Sequence, residues 1–256
     1  MKKRILPSLL IFSILSIFFI SSCSDSTSPE ENGTLKLYLT DAPSDYDEVN
    51  ITFSEISAHI NSDWITIVGE PITVNLLDYS NGETFLLGSE SLPSGKYTQI
   101  RLHISDANIV IDTEDQSMTV PSEEIKLGPQ FTMEDGITYE MVIDFDAAKS
   151  VVVTGPADNP SYKLKPHIRM VAKALTGSIS GKVMNDNINS VAYAKQDGIE
   201  ITSSTVKEDG TFKLAFLEEG EYDVFVEDAV LQPFSAMDVF VKIGENTDLG
   251  EITLLE

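Results

Sequence analysis

Few side chains in this 256-residue chain are grouped in a way that could hold a proton, a metal or a nucleophile. There are three histidines, His59, His103 and His167, and a single cysteine, Cys23. His103 and His167 fall on the outward side of expected strands, too far apart to form a local ligand pair, which makes them surface histidines. The chain has no His-Glu-x-x-His pair, Gly-x-Ser-x-Gly elbow, phosphate loop or dinucleotide fingerprint. The carboxylates are more suggestive. Asp41, Asp45, Asp47 and Glu48 fall in one expected turn, and Asp112, Glu114 and Asp115 in another. Several oxygens in a flexible loop are what calcium takes. Against that, a chain with 41 acidic residues and a net charge of −24 places carboxylates in every loop. We therefore expect no catalytic residue, no cofactor and no metal, with Asp41, Asp45, Asp47 and Glu48 as the calcium candidates to test. Asn185 to Asn189 opens like an EF-hand loop. It fails, because Ser190 occupies the sixth position, which needs Gly, and Gln196 the twelfth, which needs Glu.

Cys23 is explained by what precedes it. Lys2, Lys3 and Arg4 are followed by an apolar run from Ile5 to Ile20, then by Ser21 and Ser22. This is the layout of an export signal. The run, interrupted by Pro7, Ser8, Ser13 and Ser16, is short for a bilayer span of about 20 apolar residues. The ending resembles a bacterial lipoprotein box, with Ile20 and Ser22 as permitted variants of the usual Leu and Gly or Ala. The resemblance implies that residues 1–22 are removed and that Cys23 is lipidated at the new N-terminus. An uncleaved anchor helix is the alternative, which the short run and the small residues before Cys23 disfavour. Each buried CH₂ contributes about 0.8 kcal/mol, so several acyl chains hold a protein on a membrane where one does not. A lone cysteine excludes a disulfide within the chain. Residues 23–32 read as a polar, flexible tether.

Removing residues 1–22 takes away Lys2, Lys3 and Arg4, leaving 14 Lys+Arg against 41 Asp+Glu and a net charge of −27. That excludes a nucleic-acid partner, whose phosphates need a basic patch. It also excludes electrostatic attachment to anionic lipid. About 234 residues at 42% apolar content suffice for one large or two ordinary domains with packed cores.

From Gly33 onward the periodicity is two. Leu35, Leu37 and Leu39 alternate with Lys36, Tyr38 and Thr40. Val49, Ile51 and Phe53 change parity before Ile56, Ala58 and Ile60, which calls for a bulge near Ser54-Glu55. Further short strands follow at Trp64–Val68 and Ile72–Leu77. Asn81-Gly82 signals a turn. The strand after Gly95 puts Ile100, Leu102 and Ile104 inward and Arg101 and His103 outward. Asp146–Lys149 is the one helical turn expected. Tyr162–Ala174 reads as a single long strand with Lys163, Lys165, His167, Arg169 and Lys173 outward. After a join at residues 174–177, alternation resumes at Ile179, Val183, Phe212, Leu214, Val224, Val226, Val239 and Val241. The expected fold is all-β, two tandem β-sandwiches over residues 33–174 and 177–256.

Five segments carry a family resemblance: Leu39-Thr40-Asp41-Ala42-Pro43, Leu76-Leu77-Asp78, the run from Gly95 to Leu102, the run from Asp144 to Val151, and Leu164-Lys165-Pro166. In this order they resemble a bacterial lipoprotein domain catalogued only as a domain of unknown function, number 4382, over about residues 33–173. The resemblance implies an exported all-β domain and supplies no reaction. Residues 177–255 resemble the carboxypeptidase-regulatory-like, prealbumin-like β-sandwich, an appended structural or adhesive module. Asn187-Ile188-Asn189 and Glu219 depart from that family's usual turn residues. Leu92 to Tyr97 and Leu217 to Tyr222 share the spacing Leu, two residues, Gly, one residue, Tyr, as in a tyrosine corner. Parity, however, sets Tyr97 opposite to Ile100 and Leu102.

The expected function is a non-catalytic, lipid-anchored envelope protein that binds or scaffolds glycan or protein at the outer membrane. The alternatives are an envelope hydrolase and a purely structural spacer. A cleft gathering perturbed carboxylates would favour the hydrolase.

Overall fold

The computed structural model describes residues 32–128, 130–185 and 189–256. Cys23, the export signal and all of the tether except Asn32 lie outside the described residues. The first sandwich comprises β1 (Asn32–Ala42), β2 (Glu48–Ile60), β3 (Asp63–Val68), β4 (Ile72–Asn75), β5 (Phe85–Pro93), β6 (Gly95–Ile111) and β7 (Glu114–Thr119). It continues with β8 (Glu124–Leu127), β9 (Phe131–Met133), β10 (Thr138–Asp146), a one-turn helix α1 (Ala147–Ser150), β11 (Val151–Thr154), β12 (Ser161–Leu164) and β13 (Ile168–Ala172). One sheet runs β13-β10-β1-β5. The other runs β11-β12-β7-β6-β2-β3, with β4 paired to β2, and β8 and β9 paired to β6.

Alternation places the core as expected. Leu35, Leu37 and Leu39 of β1 and Ile100, Leu102 and Ile104 of β6 are buried in one apolar cluster. The bulge in β2 is present at Ser54, which the register skips between Phe53 and Glu55, and it lets Phe53 and Ile56 both point inward. A further slip, against His59/Ile60, is a bulge in β6, where Thr98 is skipped between Tyr97 and Gln99. It corrects the expected parity: Tyr97 is fully buried on the same side as Ile100 and Leu102. The segment 162–174 is not one strand. Pro166, which cannot donate to a ladder, separates β12 from β13, and the two strands join different sheets.

The second sandwich comprises β14 (Thr176–Val183), β15 (Val191–Gln196), β16 (Ile199–Thr205), β17 (Thr211–Glu218), β18 (Gly220–Glu227), β19 (Phe234–Val241) and β20 (Asn246–Ile252). Its sheets are β17-β14-β20 and β16-β15-β18-β19. Its apolar cluster draws on Ile179, Leu214, Leu217, Tyr222, Val224 and Ile252, separately from the first. Tyr222 Oη donates to the Glu218 carbonyl at 3.0 Å, and Tyr97 Oη to the Pro93 carbonyl at 2.9 Å. Both sandwiches thus pin the start of a central strand with a tyrosine bonded four residues upstream.

The two cores are separate, yet the described residues form one compact unit. Val142 and Val171 show why. Both are buried but belong to neither apolar cluster, because they lie on the side of the β13-β10-β1-β5 sheet that faces away from the first core.

Candidate functional site

β1 and β10 run parallel, with Thr40 beside Asp144, Asp41 beside Phe145 and Ala42 beside Asp146. Their C-terminal ends therefore gather the acidic residues of the Leu39–Pro43 and Asp144–Val151 segments. Asp41 is 4% exposed, and its Oδ1 accepts the Ala147 main-chain N–H at 2.9 Å, fixing the start of α1. Asp146 caps the same turn by accepting from Lys149 N at 2.9 Å. Lys149 Nζ lies 2.7 Å from Asp146 and donates to Glu200 of β16 at 2.8 Å. Asp144, 6% exposed, faces Arg169 of β13. Arg169 Nε donates to Asp144 Oδ2 at 2.7 Å, and Nη2 makes a 2.6 Å ionic contact with the same oxygen that is poorly directed for a hydrogen bond. Thr202 Oγ1 of β16 donates to that oxygen at 3.4 Å, and Arg169 Nη1 donates to the Phe216 carbonyl of β17 at 2.8 Å.

The Asn81-Gly82 turn completes the seam. Asn81 Oδ1 accepts from the Ser204 hydroxyl and from Lys213 N at 3.2 Å. Gly82 has φ +83°, and a Cβ there would stand 3.2 Å from that of Ala215. Of the segments that carried the family resemblance, Asp144 to Val151 docks the second sandwich, through Asp144 and Lys149, together with Asn81 and Arg169 from outside them.

Burial pushes the Asp41 carboxyl well above its ordinary value. The Ala147 N–H pulls it back, and the charges of Asp144 and Asp146 push it up again. Burial also raises Asp144, against the pull of Arg169. Two open cavities border this cluster. One, about 300 Å³, is lined by Asp144, Asp146, His167, Arg169 and Glu200 among others. The second, about 340 Å³, is lined by Asp45, Asp146, Lys149, Tyr193 and Glu200 among others. Perturbed carboxylates beside a cavity are what acid–base chemistry uses. Here, however, Asp144 is committed to Arg169, and Asp41 to a main-chain N–H. A catalytic pair needs a base within hydrogen-bond reach of a free nucleophile or substrate proton; Asp144 is spent on Arg169 and the join, and Asp41, whose Oδ2 is buried without a partner, holds the start of α1.

Residues 32–166 match the family described as Domain of unknown function (DUF4382). The chain belongs to this family. No curated protein matches it. Among solved structures, the Bacillus anthracis TIE protein is 14% identical over 88% of this chain and 34% of its own, with a TM-score of 0.26. BcpA, the major pilin subunit of Bacillus cereus, is 11% identical over 88% of this chain and 70% of its own, with a TM-score of 0.24. A fimbrial protein from Bacteroides ovatus is 9% identical over 88% and 50%, with a TM-score of 0.26. The chain spans about a third of the TIE protein and half of the fimbrial protein. Likeness at this level does not extend to function or partners.

In the DUF4382 domain the four calcium candidates do not share a turn. Asp41 belongs to β1 and is turned into the seam, because its carboxylate is needed by the N–H of Ala147. Asp47 accepts from Thr113 N at 3.3 Å, Glu48 from Asn50 at 2.8 Å, and Asp45 lines the 340 Å³ cavity. No group of three His, Cys, Asp or Glu among the described residues could hold a metal ion. Asp112 lies in the β6–β7 hairpin turn at φ 50°, and Asp115 accepts from Asn108 at 2.8 Å. His59 packs on Trp64 with ring centroids 4.8 Å apart, and His103 faces Glu124 at 3.8 Å. His167 is exposed at the edge of the 300 Å³ cavity. The sequence reading passed over Asn81, Asp144, Lys149, Arg169, Glu200 and Thr202 as a group. Part of the signal was present: Asp197-Gly198 is a hairpin dipeptide with φ 52° and 76°, and it opens β16, the strand that meets the first sandwich.

Proposed function

We propose that this chain is a non-catalytic, lipid-anchored cell-envelope protein that binds or scaffolds a glycan or protein at the outer membrane, its two sandwiches acting as one rigid piece. The observation that carries the non-catalytic part is the use made of Asp41, Asp144 and Asp146. Asp144 and Asp146 hold the Arg169 guanidinium and the Lys149 ammonium, which reach the second sandwich, while Asp41 and Asp146 hold N–H groups of α1. Anchoring is supported by the basic start, the short apolar run and the small residues before the lone Cys23. Among the described residues no helix is long and apolar enough to cross a membrane. Ser24 rather than Asp after the cysteine supports outer-membrane sorting. The second domain belongs, on its resemblance, with the carboxypeptidase-regulatory-like modules, which are appendages rather than peptidases.

Intact-mass spectrometry of membrane-extracted protein tests the anchoring. The expected species lacks residues 1–22 and carries acyl chains on Cys23, and Cys23→Ala releases the protein from the membrane. An unmodified N-terminus at Met1, or full retention of Cys23→Ala, contradicts it.

A further inference from the structure

The outward face of the β16-β15-β18-β19 sheet is set by alternation. Ala192 and Ala194 of β15 point into the core, so Val191, Tyr193 and Lys195 point out. Tyr222, Val224 and Val226 of β18 point in, so Asp223, Phe225 and Glu227 point out. Register places Tyr193 beside Phe225. Lys195 Nζ lies 4.7 Å from the Phe225 ring centroid and 5.6 Å from that of Tyr193. Both distances are within cation–π range, so the ring pair already accepts a cation from its own chain.

Each end of this aromatic step opens into a cavity. Beyond Tyr193 lies the 340 Å³ cavity, to which the first sandwich contributes Asp45. Beyond Lys195 lies one of about 430 Å³, lined in part by Asp223, Asp238 and Phe240, the last 51% exposed. Burial, then the charges of Glu227, Glu200 and Asp45 against the pull of Lys149, hold the Tyr193 phenol above its ordinary value. β15 rises about 3.3 Å per residue, so the track from Val191 to Gln196 is roughly 17–20 Å long. That matches five or six residues of extended chain.

We propose that this face binds an extended basic segment of a partner protein, with a Lys or Arg side chain over Tyr193 and Phe225 and others against the carboxylates at the two ends. The proposal deepens the binding-module reading above and rests on it. Charge alone would not choose this face, since the whole chain is acidic. The cation-accepting rings, set between two acidic cavities, do. A neutral glycan would also stack on the rings, but it would leave Asp45, Asp223 and Asp238 without a counter-charge, whereas Asp146 and Glu200 already face Lys149.

The test is a titration of the full chain in detergent with a hexapeptide of alternating lysine and alanine. The glutamate version of the peptide and a neutral N-acetylglucosamine oligomer serve as parallel ligands. The lysine peptide alone should bind. Tyr193→Ala and Phe225→Ala should each weaken it by about tenfold. Lys195→Ala removes the internal competitor and should strengthen it, an outcome that no loss of folding can imitate. Glu114→Gln and Asp115→Asn, in the distant β6–β7 hairpin, should leave it unchanged. Equal weakening by the hairpin variants with none from the ring variants would reduce the binding to diffuse charge and overturn the proposal. Preferential binding of the neutral oligomer would overturn it in favour of carbohydrate. A chain with unmodified Cys23 that still binds through Tyr193 leaves this site standing without the anchor, whereas a lipidated chain that fails to bind removes the site alone.

Discussion

Tyr97 and Tyr222 occupy the same station in two unrelated stretches of sequence, each donating to a carbonyl four residues upstream while its ring fills a core. Tyr→Phe at either position keeps the ring and strands a carbonyl, at a cost of about 1–2 kcal/mol. Denaturant unfolding should show a similar loss for the two, and a cost at only one of them would break the equivalence. The spacing of Leu, Gly and Tyr made these two corners legible. The parity of Tyr97 was misjudged because the extra residue that turns it inward, Thr98, interrupts the alternation of β6 with no Gly or Pro to mark it. Asp41 makes a pH-dependent prediction. Its carboxyl is held above the unfolded value, so the native state binds the proton more tightly and Asp41's contribution to stability falls as pH rises above the ordinary carboxylate value of about 4. Asn at this position keeps an acceptor for Ala147 N and loses the buried charge. Asp41→Asn should therefore gain stability relative to wild type progressively as the pH rises above the ordinary carboxylate value of about 4. A difference that stays flat as the pH rises would show that the native fold does not raise the Asp41 carboxyl.

At the scale of elements, the seam depends on one forked side chain. Arg169 reaches from β13 to Asp144 on its own sheet and to the Phe216 carbonyl on the other sandwich. Arg169→Ala leaves the Asp144 carboxylate buried without its partner, which costs about 3–5 kcal/mol. Arg169→Lys should recover little of this, since a point ammonium cannot serve two acceptors placed for a fork. Recovery of most of the stability by lysine would show that the seam needs charge alone. The elements themselves were legible where they alternate, as in β1, β6 and β18. They were not where a strand is short or at a sheet edge. β5 reads Phe-Leu-Leu-Gly-Ser-Glu-Ser-Leu-Pro without period two, and β8 and β9 have four and three residues. These strands are held by their neighbours rather than by their own pattern.

At the scale of the whole molecule, two cores are joined by polar contacts between residues far apart in the chain. Thr202 and Asp144 are separated by 58 positions, and Asn81 and Lys213 by 132. No local period records such a meeting, so the sequence shows two sandwiches and is silent on their docking. The outward placement of Arg169 was right for the first sandwich taken alone, since the surface it points to is covered only by the second. Each sandwich keeps a core of its own, so residues 177–256 should fold in isolation, at a lower melting temperature than in the intact chain. Scanning calorimetry of the full chain, wild type beside Arg169→Ala, tests most directly the claim that Asp144 and Arg169 serve the join. The wild type should unfold in a single transition, and the variant should melt lower and separate into two. Two independent transitions in the wild type, unmoved by Arg169→Ala, would contradict the rigid join and free Asp144 for another role.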